Sequence, residues 1–362
     1  MTMTEESKKK GSKNNTEMVI LDKEKYTAAV IGIGRIGMLL ESDPKRLKPA
    51  THFGMWLAQD QVDLIAVCDN NPRNLEIAKS KLPSVKTFLS AREMLQKVRP
   101  DIVSIATWKD THYEIIKLCV DFGIPAIVCE KPIAEKYEHA KEIVERIKQN
   151  GVHLFINHRR RFDPLLYPLR EGLKIGMIGE IIQVSTYYVY GLVTTGTHVI
   201  DTLRFFLKDV AGEITWVIGI PNKFRHFHPQ DDPCIDGFVG FENGLKASLQ
   251  SLNIKDYDIM NYYFYGRKGL MILKNIGRDI EIYKVKDSPE HEYFAELINK
   301  PIKKLGVKPR NQFGYLADNV IDCLKGRATT LSSGEDSLKA LEVLLAMQKS
   351  VAEKGKKIEL KN

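Results

Sequence analysis

The sequence predicts an α/β domain with a parallel sheet, followed by an α+β domain with an open, mostly antiparallel sheet. Three observations carry this reading. A glycine-rich turn at Gly32, Gly34 and Gly37 follows a short apolar run. Short β-branched runs then alternate with amphipathic stretches as far as about Gln149, the pattern of βαβ units. Beyond Gly151 the texture changes to closely spaced runs separated by turn signals such as Glu242-Asn243-Gly244, which suits antiparallel pairing. The 362 residues exceed what one core ordinarily organises and fit two domains.

In chain order, residues 27–31, 64–68, 102–106 and 126–129 read as nearly all-apolar strands, as strands buried on both faces must be. A helix is expected over 36–40, opening at the glycine turn, and 41–53 reads as an insertion with prolines and mixed charges. A further strand is expected at 152–157. Strands then follow at 181–188, 215–220, 237–241, 246–251, 262–265, 270–273 and 279–283, with helices near 164–174, 198–207 and 312–324. A last helix begins at Ser332-Ser333-Gly334-Glu335, where Ser332 and Glu335 have capping-box spacing, and carries Leu338, Leu341 and Leu345 on one face. It is expected to pack back on the core.

Composition narrows the function. Hydrophobic residues make up 43% and charged residues 28%, the balance of a globular protein in water, and no apolar stretch nears the roughly 20 residues of a membrane span. Residues 1–25 are polar and lysine-rich, which argues against a secretory signal and for a mobile basic tail on a cytoplasmic protein. The net charge of +8 raises nucleic acid as a partner. Several lysines lie at the two ends, however (Lys8, Lys9, Lys10, Lys13; Lys354, Lys356, Lys357, Lys361), and with no aromatic-basic motif beside them they read as solvated ends rather than a nucleic-acid surface. Five scattered cysteines without Cys-x-x-Cys spacing (Cys68, Cys119, Cys129, Cys234, Cys323) suit buried reduced thiols.

The glycine turn follows a clean strand, the context in which it binds a dinucleotide. Gly32 permits the tight turn, Gly34 lets the backbone approach a pyrophosphate, and Gly37 lets helix and strand pack closely. Asp69, ending the second strand, can accept both ribose hydroxyls and would repel a 2′-phosphate, favouring NAD over NADP; the insertion accounts for its long spacing from the glycines. Arg73 leaves NADP open. Lys131 in Glu130-Lys131-Pro132 stands at the carboxyl end of a parallel strand, the crevice where such sheets bind ligands. A desolvated lysine there has its pKa lowered toward a general base's range. Of Arg159, Arg160 and Arg161, at most one or two can face one cleft; Arg160 suits substrate oxygens or a phosphate, and Arg161 a structural pairing. His226, His228, Asp231 and Asp232 lack regular metal-ligand spacing and read as polar loop surface, so no metal is expected.

Taken in order, Gly32-Ile33-Gly34-Arg35-Ile36-Gly37, Asp69, residues 107–112, Cys129-Glu130-Lys131-Pro132, Arg160-Arg161-Phe162, Gly196-Thr197-His198-Val199-Ile200-Asp201 and residues 332–357 resemble the glucose-fructose oxidoreductase, inositol dehydrogenase and rhizopine-catabolism (Gfo/Idh/MocA) family. The resemblance spans nearly everything from Tyr26 to Leu360. It implies an NAD(P)-binding Rossmann domain over 26–150 and a substrate and oligomerisation domain over 151–362, in a homo-oligomer, dimer or tetramer. Gly32, Gly34, Arg35, Ile36, Gly37, Asp69, Asn70, Thr107, Trp108, His112, Glu130 and Lys131 would contact the cofactor. Arg160, Tyr190, Thr194, Thr195, His198 and Lys131 would contact a sugar, polyol or nucleotide-sugar substrate. Lys131 and His198 would be catalytic. Relatives place an aspartate four residues before the motif histidine; here that position is Thr194, which carries no charge. Trp108 likewise replaces a proline, to line or close the nicotinamide pocket. The departure at Thr194 keeps a second function open, an NAD-binding sensor or assembly protein without redox turnover.

Overall fold

The computed structural model describes residues 17–222, 232–306 and 311–360. Its first sheet consists of β1 (Tyr26–Ile31), β2 (Val62–Cys68), β3 (Lys86–Phe88), β4 (Ile102–Ile105), β5 (Ala126–Cys129) and β6 (His153–Ile156), all parallel, in the order β3-β2-β1-β4-β5-β6. This is the doubly wound order of dinucleotide-binding domains. Alternation sends side chains to two cores: Ala28, Val30, Ile102, Ala126 and Val128 pack on one face, and Ala29, Ile31, Val103, Ile105, Ile127 and Cys129 on the other. Helices α1 (His52–Leu57), α2 (Pro72–Lys81), α3 (Ala91–Val98), α4 (His112–Asp121) and α5 (Tyr137–Asn150) supply the crossovers.

The expected helix at 36–40 is absent as such. Residues 35–38 form turns and Leu39–Ser42 a single 3-10 turn, because the insertion interrupts the helix and α1 resumes it through space. The His52 and Phe53 amides donate to the Ile36 and Gly37 carbonyls at 3.2 and 2.8 Å, bonds that the next residues of an unbroken helix would make. The looped-out stretch is held by Glu41, whose carboxylate accepts from the Ala50 amide at 2.9 Å and the Thr51 hydroxyl at 2.6 Å. With about twelve residues set aside, Asp69 falls about 20 positions after Gly37, the usual spacing.

After α6 (Leu166–Lys174) come β7 (Ile181–Val189), α7 (Thr197–Ala211), β8 (Ile214–Pro221), β9 (Ile235–Phe241), β10 (Lys246–Leu252), β11 (Asn261–Gly266), β12 (Gly269–Lys274), β13 (Asp279–Asp287), β14 (Ala295–Leu297) and β15 (Lys303–Gly306). The chain closes with α8 (Gln312–Leu324), α9 (Gly334–Ala352) and β16 (Ile358–Glu359). The second sheet runs β14-β13-β12-β11-β7-β10-β9-β8-β16, with β15 on β13. Its pairs are antiparallel except β10 with β7.

Helix α9 joins the halves. It lies close on β8, where a Cβ on Gly219 would fall 2.5 Å from the Met347 carbonyl, and its Ser350 hydroxyl accepts from the Gly219 amide at 2.9 Å. Its cap is one residue later than the sequence reading: Ser333, not Ser332, caps the helix, accepting from the Asp336 amide. The buried face accordingly runs through Ala340, Leu341, Leu344 and Met347, with Leu338 and Leu345 only partly covered. Residues 17–25, assigned to the tail, instead lie along the first domain. The Val19 amide donates to the Gly151 carbonyl at 2.9 Å, the Leu21 amide to the Leu324 carbonyl at 2.7 Å, and Lys23 pairs with Asp101 at 2.6 Å. Lys8 to Lys13 lie outside the described residues. The five cysteines are buried and unbridged, and burial raises the Cys68 thiol to about 12. Among the described residues no helix is long and apolar enough to cross a membrane.

Candidate active site

The carboxyl ends of β1, β4, β5 and β6 open into a cleft of about 1880 Å³, closed on its far side by the β7–α7 junction. That volume exceeds the roughly 300–1,000 Å³ of a drug-sized pocket and has room for a dinucleotide with a second ligand. The floor is the turn after β1. Gly32 has φ +81°, and a Cβ there would stand 2.6 Å from the Thr107 methyl. A Cβ on Gly34 would meet nothing within 4 Å, so its absence leaves backbone open to a phosphate. On Gly37 a Cβ would lie 1.9 Å from the Gly32 carbonyl; this glycine sits behind the cleft and lets the turn close. Asp69 accepts from the Ile33 and Asn71 amides, both at 2.8 Å, which ties β2 to the turn and points its carboxylate at the floor. Arg35, Ile36, Asn70 and Thr107 line the same region. Trp108 lies on the rim with 82% of its surface exposed, so it borders the cleft without closing it. Arg73 is not among the lining residues; the insertion's Asp43, Lys45 and Arg46 are.

The middle wall is Glu130-Lys131-Pro132 at the end of β5. The Glu130 carboxylate takes Nε2 of His52 at 3.1 Å and the Asn157 amide at 2.6 Å. Burial works to raise its pKa, but His52, Lys131 and Asn157 together bring it down to about 2. Glu130 is therefore an anion beside the lysine. Lys131, half-buried, donates from Nζ to the Thr194 carbonyl at 2.7 Å. Burial lowers its pKa below that of an ordinary lysine; Glu130 and Asp232 oppose the shift, and Arg159 and Arg160 add to it. His112 does not line the cleft. It is buried, with Nδ1 2.8 Å from the Pro132 carbonyl and Nε2 3.2 Å from the Thr107 carbonyl, bridging the loops that follow β4 and β5.

The third wall is residues 190–198. Tyr190, at φ +65°, Thr194, Thr195 and His198 all line the cleft. His198 occupies the first turn of α7, and burial, followed by the charges of Lys131 and Arg160, holds its imidazole well below the usual pKa. It is neutral, able to donate from one nitrogen and accept at the other.

Asp232 corrects the sequence reading. Expected as polar loop surface, it is 5% exposed, and its carboxylate accepts from the Val193 amide at 2.6 Å and the Thr194 amide at 2.9 Å. It is pressed so closely on this segment that a Cβ on Gly191 would lie 2.2 Å from its carboxyl carbon. A carboxylate thus stands near Lys131 although position 194 has none, and it comes from a loop 38 residues further on. His226, His228 and Asp231 lie outside the described residues, among which no group of side chains is arranged to hold a metal. The sequence carried no signal for Asp232 or for the His52–Glu130 contact, both made across long separations. Asn157 directly precedes the basic stretch His158–Arg161 and was legible only as the end of a strand.

After β6 the chain makes a 3-10 turn, Arg159–Phe162. Arg159 and Arg160 line the cleft. Arg161 turns away into the core, pairing with Asp201 at 2.8 Å and Asp336 at 3.0 Å.

Residues 26–158 match the family model described as oxidoreductase family, NAD-binding Rossmann fold, and residues 191–360 match that family's C-terminal α/β domain. The chain is 25% identical over 274 residues to a D-glucoside 3-dehydrogenase of Escherichia coli K12, covering 66% of this chain and 74% of that protein. It is 26% identical over 176 residues to a D-apiose dehydrogenase of Paraburkholderia graminis, a match covering 44% of this chain and 47% of that protein. Among solved structures, the WlbA dehydrogenase of Bordetella pertussis, in complex with NADH and UDP-GlcNAcA, superimposes with a TM-score of 0.72 at 19% identity, over 93% of this chain and 99% of that one; at that identity the likeness is one of fold.

Proposed function

The chain belongs to the Gfo/Idh/MocA family of oxidoreductases, and we propose that it is an NAD-dependent dehydrogenase of a secondary alcohol on a sugar, cyclic polyol or nucleotide sugar. The observation that carries this is the position of Lys131. Its amine stands in one cleft with the open Gly34 backbone on one side and His198 on the other, so cofactor floor and proton acceptor share a sheet. When bound, the nicotinamide supplies the hydride acceptor or donor.

The residues of the chain do the rest. In the oxidation direction, neutral Lys131 accepts the hydroxyl proton as the carbon gives up hydride, and its remaining N–H groups keep the bond to the Thr194 carbonyl. His198, held neutral, donates to the substrate oxygen and orients it. Tyr190, Thr194 and Thr195 bind neighbouring hydroxyls. The Asp69 carboxylate, already bound to the turn, accepts the ribose hydroxyls and disfavours a 2′-phosphate, so NAD is preferred to NADP.

Thr194, in place of a carboxylate, favours a second reading, an NAD-binding sensor or assembly protein. Purified protein assayed with NAD for reduced-nicotinamide absorbance against sugars, inositols and nucleotide sugars separates the two. Turnover of any member supports the dehydrogenase; NADH binding without turnover across the panel leaves the sensor.

A further inference from the structure

Two adjacent arginines that follow β6 stand in the cleft without a carboxylate paired to either among the described residues. Arg159 and Arg160 both line it, and no carboxylate among the described residues lies within 4.0 Å of either guanidinium. Nε of Arg160 is buried without a hydrogen-bond partner. The contrast within the same fold is sharp. Arg161, next in sequence, has two carboxylates, and the buried Arg204 likewise pairs with Glu213 at 2.8 Å and Asp336 at 3.5 Å. Arg159 and Arg160 are only partly buried and face the cleft, so an anion entering it meets two guanidinium groups that no carboxylate already occupies. Glu130, whose charge acts on Arg159, has its Oε1 committed to His52 and Asn157.

The position of the pair says which anion is missing. Phosphates held by the glycine turn belong at the end of β1. Arg159 and Arg160 follow β6, three strands away across β4 and β5, which at roughly 4.8 Å per strand is about 14 Å. They lie beyond Lys131, on the substrate's side of it, and their charges act on both Lys131 and His198.

We propose that the substrate is an anionic sugar whose carboxylate or phosphate is bound by the Arg159 and Arg160 guanidinium groups while its reacting hydroxyl lies between Lys131 and His198. This rests on the dehydrogenase reading for the identity of the cleft, and it refines that reading: a neutral sugar leaves both arginines unpaired. A planar guanidinium suits either oxyanion, since it offers paired N–H donors to two oxygens at once.

The test is calorimetric and needs no turnover. Protein saturated with NADH is titrated with D-glucuronate, D-glucose 6-phosphate and D-glucose. One of the two anions is expected to bind at least about tenfold more tightly than D-glucose, and which one it is tells carboxylate from phosphate. Charge-assisted hydrogen bonds of this kind correspond to a loss of about 10- to 100-fold, expected in R159Q and R160Q alike, with NADH affinity, read by fluorescence, unchanged within about twofold. Equal binding of all three sugars by the wild-type protein overturns the proposal even where a variant does not fold. So does a loss of NADH affinity in R160Q that matches the loss for the anion, which assigns the arginines to the cofactor. Anion binding without hydride transfer to or from any sugar keeps this inference and defeats the dehydrogenase reading, so the two fail separately.

Discussion

Asp232 ties the 190–198 segment to the Lys131 amine. Its carboxylate holds the Val193 and Thr194 amides, the Thr194 carbonyl holds Lys131, and its charge raises the Lys131 pKa against the larger lowering by burial. Asparagine at 232 keeps one oxygen for one amide and turns an NH₂ group toward the other. The loss of one charge-assisted bond costs about 1.5–3 kcal/mol, and alanine, losing both, about 3–6 kcal/mol. The charge acts separately on the chemistry. Groups facing the Lys131 amine are Glu130 and Asp232, which favour its protonation, and Arg159 and Arg160, which disfavour it; His198 stays neutral beside it. Removing the Asp232 charge therefore lowers the Lys131 pKa further. Oxidation requires neutral Lys131, so activity is present above that pKa and is lost as pH falls through it, and in Asp232→Asn the acidic limb of the profile moves to lower pH. The assay is kcat/KM against pH for wild type and Asp232→Asn, with urea unfolding in parallel. A destabilised variant whose acidic limb stays in place, or moves to higher pH, refutes the coupling and leaves Asp232 a purely structural residue.

Three further outcomes are expected. Asp69→Ser should weaken NAD binding by about 10- to 100-fold, the worth of charge-assisted bonds to the ribose, and move the preference toward NADP; paired titrations with NADH and NADPH check both. Gly37→Ala, which sets a Cβ 1.9 Å from the Gly32 carbonyl, should cost about 1–3 kcal/mol and weaken NADH binding, because the obstacle is backbone and the turn itself must shift. Arg161→Gln leaves Asp201 and Asp336 without their shared cation and should cost about 3–5 kcal/mol in denaturant unfolding.

What the sequence made legible was what local pattern decides. Residues 102–105 and 126–129 are buried on both faces of a parallel sheet, so nothing polar beyond Ser104 interrupts them and the strands read directly. The tight turn at Gly32 and the close packing at Gly37 were legible because each glycine answers to backbone or to a side chain of an adjacent loop. The helix at 36–40 was not, since its continuation lies beyond an insertion and depends on the Glu41 carboxylate reaching Ala50 and Thr51. The cap of α9 was missed by one position because Ser332 and Ser333 each have an acid three residues later; burial of Ser332 behind β6, whose Ile156 amide takes its carbonyl, decides between them. Asp232 was unreadable for a different reason. Its partners are backbone amides far along the chain, and backbone amides leave no mark on the sequence.

On the reading proposed above, Lys131 carries the proton in a nicotinamide-dependent oxidation. That role is tested most directly by the single-turnover rate of hydride transfer in Lys131→Ala, with NADH affinity measured on the same preparation. A fall of about 10²- to 10⁴-fold is expected, with NADH bound within a few-fold of wild type. A variant that transfers hydride within about tenfold of the wild-type rate, while binding cofactor normally, contradicts it.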